Sequence, residues 1–184
     1  ITGASDGAIY IEGLIAYNPI VTTPKGCYVH NVGTPTRKAS EYALQASKTP
    51  SVLTPHLTII AFSINDAKAS ATDYYASMSS LISANQNAGA SVLLVAYYAI
   101  NDTPAINANY LAMNSQMYQL CDQFNCAMVD IYSRWGKDFT VAQLAGLMGT
   151  SDWSGNAGSD AWHVSDKGHR EIANAIAINL IGQI

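Results

Sequence analysis

The segment Asp160-Ala161-Trp162-His163-Val164-Ser165-Asp166-Lys167-Gly168-His169 holds a carboxylate and an imidazole three residues apart. A glycine and a helical pattern follow within a few positions. The spacing has a chemical use. An imidazole that takes a proton from a nucleophile must present one ring nitrogen to it. The other nitrogen donates to a carboxylate that fixes the tautomer. A short Asp-x-x-His turn supplies both groups from one loop, and the helix after it anchors that loop. The competing reading is an ordinary surface loop in which Asp160 caps a turn.

Two further segments each follow an apolar run: Asn31-Val32-Gly33-Thr34-Pro35-Thr36 and Ser63-Ile64-Asn65-Asp66. A glycine at a strand end leaves its backbone N–H open to a ligand. An asparagine at the next strand end can donate a side-chain N–H. Together with the N–H of a nucleophile they make an oxyanion hole of up to three donors, and one lost donor costs about 3–4 kcal/mol. Taken singly, Gly33 also reads as a turn glycine and Asn65 as a helix N-cap. The remaining histidines, His30, His56 and His169, read as structural or surface groups.

The elements that must position these residues come from the apolar periodicity. Four runs read as strands: Cys27–Val32, Leu57–Phe62, Ser91–Tyr98 and Ala127–Asp130. The second and third are nearly continuous in apolar character, as strands buried on both faces of a parallel sheet are. Helical patterns lie between them. Ala8–Ala16, Ala39–Ala46 and Val141–Met148 are short. Ala71–Ala88 carries Tyr75, Met78, Leu81 and Ile82 at helical spacing and is punctuated by Gly89. Asn107–Phe124 carries Tyr110, Met113, Met117 and Leu120 on one face, and Lys167–Ile181 turns Ile172, Ala173, Ile176, Ala177 and Leu180 inward. Alternation of this kind implies an α/β fold, a three-layer α/β/α sandwich around a parallel sheet, over a single domain spanning 1–184. In such sheets ligands bind beyond the carboxyl ends of the strands, where the three segments above lie.

Composition narrows the classes. The chain is 49% hydrophobic and only 12% charged, with a net charge of −4 and no basic run. Phosphate or nucleic-acid binding through an electrostatic footprint is therefore not expected. No apolar stretch reaches the ~18–20 residues that span a bilayer. A neutral, polar surface rich in Asn, Ser, Thr and Tyr suits an extracellular or virion-associated protein. The three cysteines, Cys27, Cys121 and Cys126, cannot all pair within the chain. Cys121 and Cys126 could bridge across a helix end; the alternative is three buried thiols. No Cys/His spacing matches a zinc site, and no metal or organic cofactor is expected.

In order, these blocks resemble the SGNH hydrolase superfamily, the GDSL-like esterases. That family reads as a Gly-Asp-Ser nucleophile block, a Gly block, a Gly-x-Asn-Asp block and Asp-x-x-His. Asn31-Val32-Gly33 is similar to the second, Ser63-Ile64-Asn65-Asp66 to the third and Asp160-Ala161-Trp162-His163 to the fourth. Val129-Asp130-Ile131-Tyr132 is similar to the segment after the family's last strand. The resemblance implies that His163 is the general base, that Asp160 orients it, and that Gly33 and Asn65 are oxyanion donors. Ser63 stands where the family has Gly. The fold implied is flavodoxin-like, with a first strand between the second and third.

The chain contains no Gly-Asp-Ser. Family members often read Gly-Asp-Ser-Ile-Thr-x-Gly, and this chain begins Ile1-Thr2-Gly3. The expectation is an N-terminus that is processed or truncated, with the first strand and the nucleophilic serine immediately ahead of Ile1. The rival is Ser5, in Gly3-Ala4-Ser5-Asp6-Gly7. Trp162 either lines the acyl pocket or packs the loop. The function implied is a serine esterase working through an acyl-enzyme on a small-molecule or polysaccharide ester, with O-acetylated carbohydrate as the preferred substrate. The alternatives are a lipid or thioester acylhydrolase, and a catalytically inactive binding or structural module of a phage tail fibre or surface protein.

Overall fold

The computed structural model describes residues 14–15, 28–29, 31–33, 36–62, 64–68, 71–149 and 162–181. The chain divides into two compact units, Ile1–Arg37 and Lys38–Ile184.

In the first unit, β1 (Leu14–Ile15) pairs antiparallel with β2 (Tyr28–Val29), Leu14 opposite Val29 and Ile15 opposite Tyr28. This corrects two expectations. The end of the helix expected over Ala8–Ala16 is extended. It closes a stretch, Ile9-Tyr10-Ile11-Glu12-Gly13-Leu14-Ile15, rich in β-branched and aromatic residues that favour strands, with an interior glycine that costs a helix about 1 kcal/mol. Among the described residues of the run Cys27–Val32, the strand covers Tyr28–Val29, and its partner is antiparallel rather than parallel.

In the second unit, β3 (Leu57–Ile60), β4 (Ser91–Ala96) and β5 (Ala127–Asp130) form a parallel sheet in the order β3-β4-β5. Leu57 to Ile60 pair with Ser91 to Leu94, and Leu93 to Ala96 pair with Ala127 to Asp130. The central strand β4 is buried from Val92 to Ala96. Its side chains alternate between two cores, as the twofold period of a strand requires. Val92, Leu94 and Ala96 enter one core with residues of α1 (Ala39–Ala43), α3 (Ala71–Asn87) and α4 (Pro104–Phe124). Leu93 and Val95 enter the other with Ile131 of α5 (Ile131–Arg134), Ala142 of α6 (Phe139–Leu144) and Ala175 of α7 (Asp166–Ile181). Helices thus cover both faces of the sheet, which is the three-layer arrangement expected of the sequence.

The helix patterns hold in most particulars. Tyr110, Met113, Met117 and Leu120 of α4 are all buried. Fully burying a side chain of that size is worth about 1.5–3 kcal/mol. In α3 the buried tyrosine is Tyr74, and Tyr75 instead lies at the edge with its hydroxyl hydrogen-bonded to Gln123. Gly89, at φ 89°, takes the left-handed conformation that ends this helix. In α7, Ala175 is buried, whereas Ala173 and Ala177 face solvent. An additional short helix, α2 (Lys48–Leu53), precedes β3.

Candidate active site

Parallel strands end at one edge of their sheet, so the segments that leave β3, β4 and β5 emerge together. The turn Ile64-Asn65 follows β3 and runs into a 3-10 helix, Asp66–Lys68. Asn65 is exposed at that turn. Its neighbour Asp66 is buried, at 3% exposure, and its Oδ1 accepts from the backbone N–H of Ala39, the first residue of α1, at 2.9 Å. Loss of hydration raises the Asp66 carboxyl to about 6, although the Ala39 N–H and the Lys38 charge favour the ionised form. The asparagine turn is therefore tied to α1 through the residue beside it. Tyr74 donates to the carbonyl of Phe62 at 2.6 Å and secures the chain just after β3.

His163 is exposed, in a loop held on both sides by main-chain bonds. Its carbonyl accepts from Gly149 N–H at 2.9 Å, and Ser165 N–H donates to the Leu147 carbonyl at 2.9 Å. Met148 and Val164 form an antiparallel bridge between those two bonds. Ser165 then starts α7: its Oγ accepts from Gly168 N–H at 3.1 Å while donating to the Gly146 carbonyl at 2.7 Å. The Lys167 ammonium caps the Ala145 carbonyl at 2.7 Å. Gly168 is buried where a Cβ would stand 2.2 Å from the Leu147 carbonyl oxygen, so only glycine lets the helix start so close to the strap. Helix α7 begins at Asp166, one residue before the expected start.

Two contacts join this loop to the strand tips. The Tyr98 hydroxyl, two residues beyond β4, donates to the Trp162 carbonyl at 2.7 Å. The Lys68 ammonium lies 4.7 Å from the centre of the Trp162 ring, a cation–π contact. Lys68 is three residues after Asn65, and Trp162 immediately precedes His163. The asparagine and histidine segments are thus neighbours at the strand tips. Tyr98 and Lys68 were not singled out in the sequence, and Asp66 was legible only as the last residue of its block, without its bond to Ala39. Tyr97-Tyr98 closing an apolar run was the available signal for the first, since a tyrosine buried at a strand tip needs a partner for its hydroxyl.

Gly33 belongs to the first unit and is exposed. Its N–H donates to Oδ1 of Asn31 at 3.0 Å. Asp160 and Ser5 lie outside the described residues, as does Ser63. Cys121 and Cys126 are free, partly buried thiols, and Cys27 lies outside the described residues.

A cleft of about 300 Å³ opens at the same sheet edge, between the segments that follow β4 and β5. Its walls include Asn101, Asn107, Tyr132, Lys137, Phe139 and Thr140. Gly136 and Lys137 both hold positive φ, at 81° and 62°, in the turn that leads to α6. Among the described residues no group of histidine, cysteine and carboxylate side chains is placed to hold a metal. Among them, too, no helix is long and apolar enough to cross a membrane.

Comparison with known proteins accords with this geometry. No curated protein sequence matches the chain significantly. Among solved structures, a lipase/acylhydrolase from Enterococcus faecalis superposes with a TM-score of 0.67 at 15% identity, over 84% of this chain and 76% of that one. A carbohydrate esterase family 3 protein from Talaromyces cellulolyticus gives 0.63 at 17% identity, over 92% and 79%. An acetylxylan esterase from Geobacillus stearothermophilus gives 0.62 at 16%, over 81% and 70%. At such identities these likenesses speak for the fold. The family description GDSL-like lipase/acylhydrolase matches residues 2–176, nearly the whole sequence. The chain therefore belongs to the GDSL-like lipase/acylhydrolase family, the SGNH hydrolases.

Proposed function

We propose that this protein is a serine esterase that removes O-acetyl groups from carbohydrate through an acyl-enzyme. The observation that carries the reading is the meeting of the asparagine turn with the histidine loop at the strand tips, through Lys68, Trp162 and Tyr98. In a chain of this family, that meeting supports one site assembled from separate segments.

The nucleophile is the serine that the family's first block would put ahead of Ile1-Thr2-Gly3, with Ser5 as the alternative. Its Oγ attacks the ester carbonyl as His163 takes the proton, and His163 then passes that proton to the departing alcohol. Asp160 holds the imidazolium. The oxyanion rests on Asn65, on the Gly33 N–H after its release from Asn31, and on the N–H of the nucleophile. Water repeats the sequence, releasing acetate and restoring the serine. An exposed imidazole suits this chemistry, because the proton must reach leaving groups carried on a polymer.

The carbohydrate part of the reading draws on the cleft. Amide groups from Asn101 and Asn107, the Thr140 hydroxyl and the rings of Tyr132 and Phe139 are the side-chain types that bind hydroxyl-rich, faceted sugars. The Talaromyces carbohydrate esterase and the Geobacillus acetylxylan esterase that share the fold point the same way. The test is acetate release from acetylated xylooligosaccharides, set against turnover of p-nitrophenyl acetate and p-nitrophenyl octanoate. The expected result is preference for acetyl over octanoyl and release of acetate from the sugar. Faster turnover of the octanoyl ester, with no acetate from the sugar, would favour a lipid acylhydrolase. Failure on all three substrates would favour a binding module.

A further inference from the structure

Helix α4 ends in a way that brings two thiols together. Asn125 takes the left-handed conformation, φ 47° and ψ 50°, and its N–H returns to the Cys121 carbonyl. The N–H of Cys126 also returns to the Cys121 carbonyl, at 3.2 Å. That six-to-one bond is the mark of a Schellman turn, in which the side chains on either side of the turn touch. Here those positions are Cys121 and Cys126. The turn draws their α-carbons toward the separation that a disulfide spans, about 4.4–6.8 Å. Cys126 Sγ also approaches the Leu120 carbonyl at 3.9 Å, back over the last turn of the helix. An apolar contact is the usual occupant of this position, and a cysteine pair fills it equally well while adding chemistry.

We propose that Cys121 and Cys126 are a disulfide-forming pair that staples the end of α4 to the start of β5. The bond would close a short loop whose next residue, Ala127, opens β5, the strand that leads to Tyr132 and the wall of the cleft. Oxidation needs a small or protein disulfide as the oxidant, such as oxidised glutathione. The Cys126 thiolate attacks first and expels one glutathione thiolate. Cys121 then attacks the Cys126 sulfur of the mixed disulfide and expels the second. Two protein thiols are oxidised, one glutathione disulfide is reduced to two thiols, and the two thiol protons leave with the products. Burial holds both thiols above their ordinary range, Cys121 at about 12, so the exchange is slow near neutrality.

The test is equilibration of the folded, full-length protein with oxidised glutathione at mildly alkaline pH, alkylation of remaining thiols, and chymotryptic mapping. Cleavage after Phe124 separates the two cysteines, so their peptides stay joined only through a disulfide. The expected result is a joined pair with neither thiol alkylated. Oxidised protein should melt about 4–8 °C above the reduced form, a difference absent from Cys126→Ser. Recovery of both cysteines alkylated, glutathione held on either one without the joined pair, or linkage of either to Cys27 would overturn the proposal. So would equal melting temperatures for the oxidised and reduced forms of a protein shown to carry the bond.

Discussion

At the scale of single residues, binding and bond-making fall to different groups. If Asn65 donates to charge that develops only in the transition state, its loss lowers kcat and leaves KM nearly unchanged. Asn65→Ala should reduce kcat about 100- to 1,000-fold on p-nitrophenyl acetate, and a rise in KM at constant kcat would instead make Asn65 a substrate-binding residue. Asp66 offers a second residue-level prediction, in stability. Its carboxyl is raised from 3.8 to about 6 by burial, so between those values the folded protein holds a proton that the unfolded chain releases. The stabilisation is full below about 3.8 and is lost as pH rises through about 6. Asp66→Asn keeps an oxygen for the Ala39 N–H and removes the titration. Relative to this variant, wild type should lose about 2–3 kcal/mol of unfolding free energy between pH 4 and pH 7 in chemical denaturation. Parallel curves for the two proteins would contradict this.

At the scale of elements, the strap formed by Gly146–Gly149 and the start of α7 decides where His163 stands. Gly168→Ala drives a methyl group into the Leu147 carbonyl, and backbone cannot step aside as a flexible side chain can. The expected cost is about 1–3 kcal/mol, read as a lowered melting temperature together with reduced activity. Unchanged stability would mean that the strap yields at Leu147 to admit the methyl group. Tyr98→Phe removes the bond to the Trp162 carbonyl, at a cost of about 1 kcal/mol. It should lower kcat more than it lowers the melting temperature, because the bond aims a loop rather than supports the core. The long helices and the three parallel strands were legible in the sequence because one apolar pattern dominates each. Met113, Met117 and Leu120 fall on one face of α4 in the structure as in the sequence. The segments that misread are short. Leu14–Ile15 follows local β-propensity where a brief helical pattern competed, and in α7 small alanines give no strong signal, so Ala175 exchanged places with Ala173 and Ala177.

At the scale of the molecule, the family was legible in the sequence as ordered blocks, and the way the candidate segments meet was not. The order of Gly33, Asn65, Asp160 and His163 along the chain led to the family, since each follows a strand or precedes a helix that the fold requires. What joins the blocks was hidden because the joining groups are far apart in sequence: Lys68 meets Trp162 and Tyr98 meets Trp162, across intervals that no local pattern encodes. The cleft depends on long-range packing too, between the segments after β4 and β5. The central claim is that one serine from the N-terminal block is activated by His163. Its most direct test is fluorophosphonate labelling of the protein with its natural N-terminus, followed by peptide mapping, in wild type and in His163→Ala. The account predicts one labelled serine, in the Gly-Asp-Ser position ahead of Ile1 or at Ser5, and labelling slowed by at least about 1,000-fold in the variant. Label on a serine elsewhere in the chain, or equal labelling of the two proteins, would contradict it.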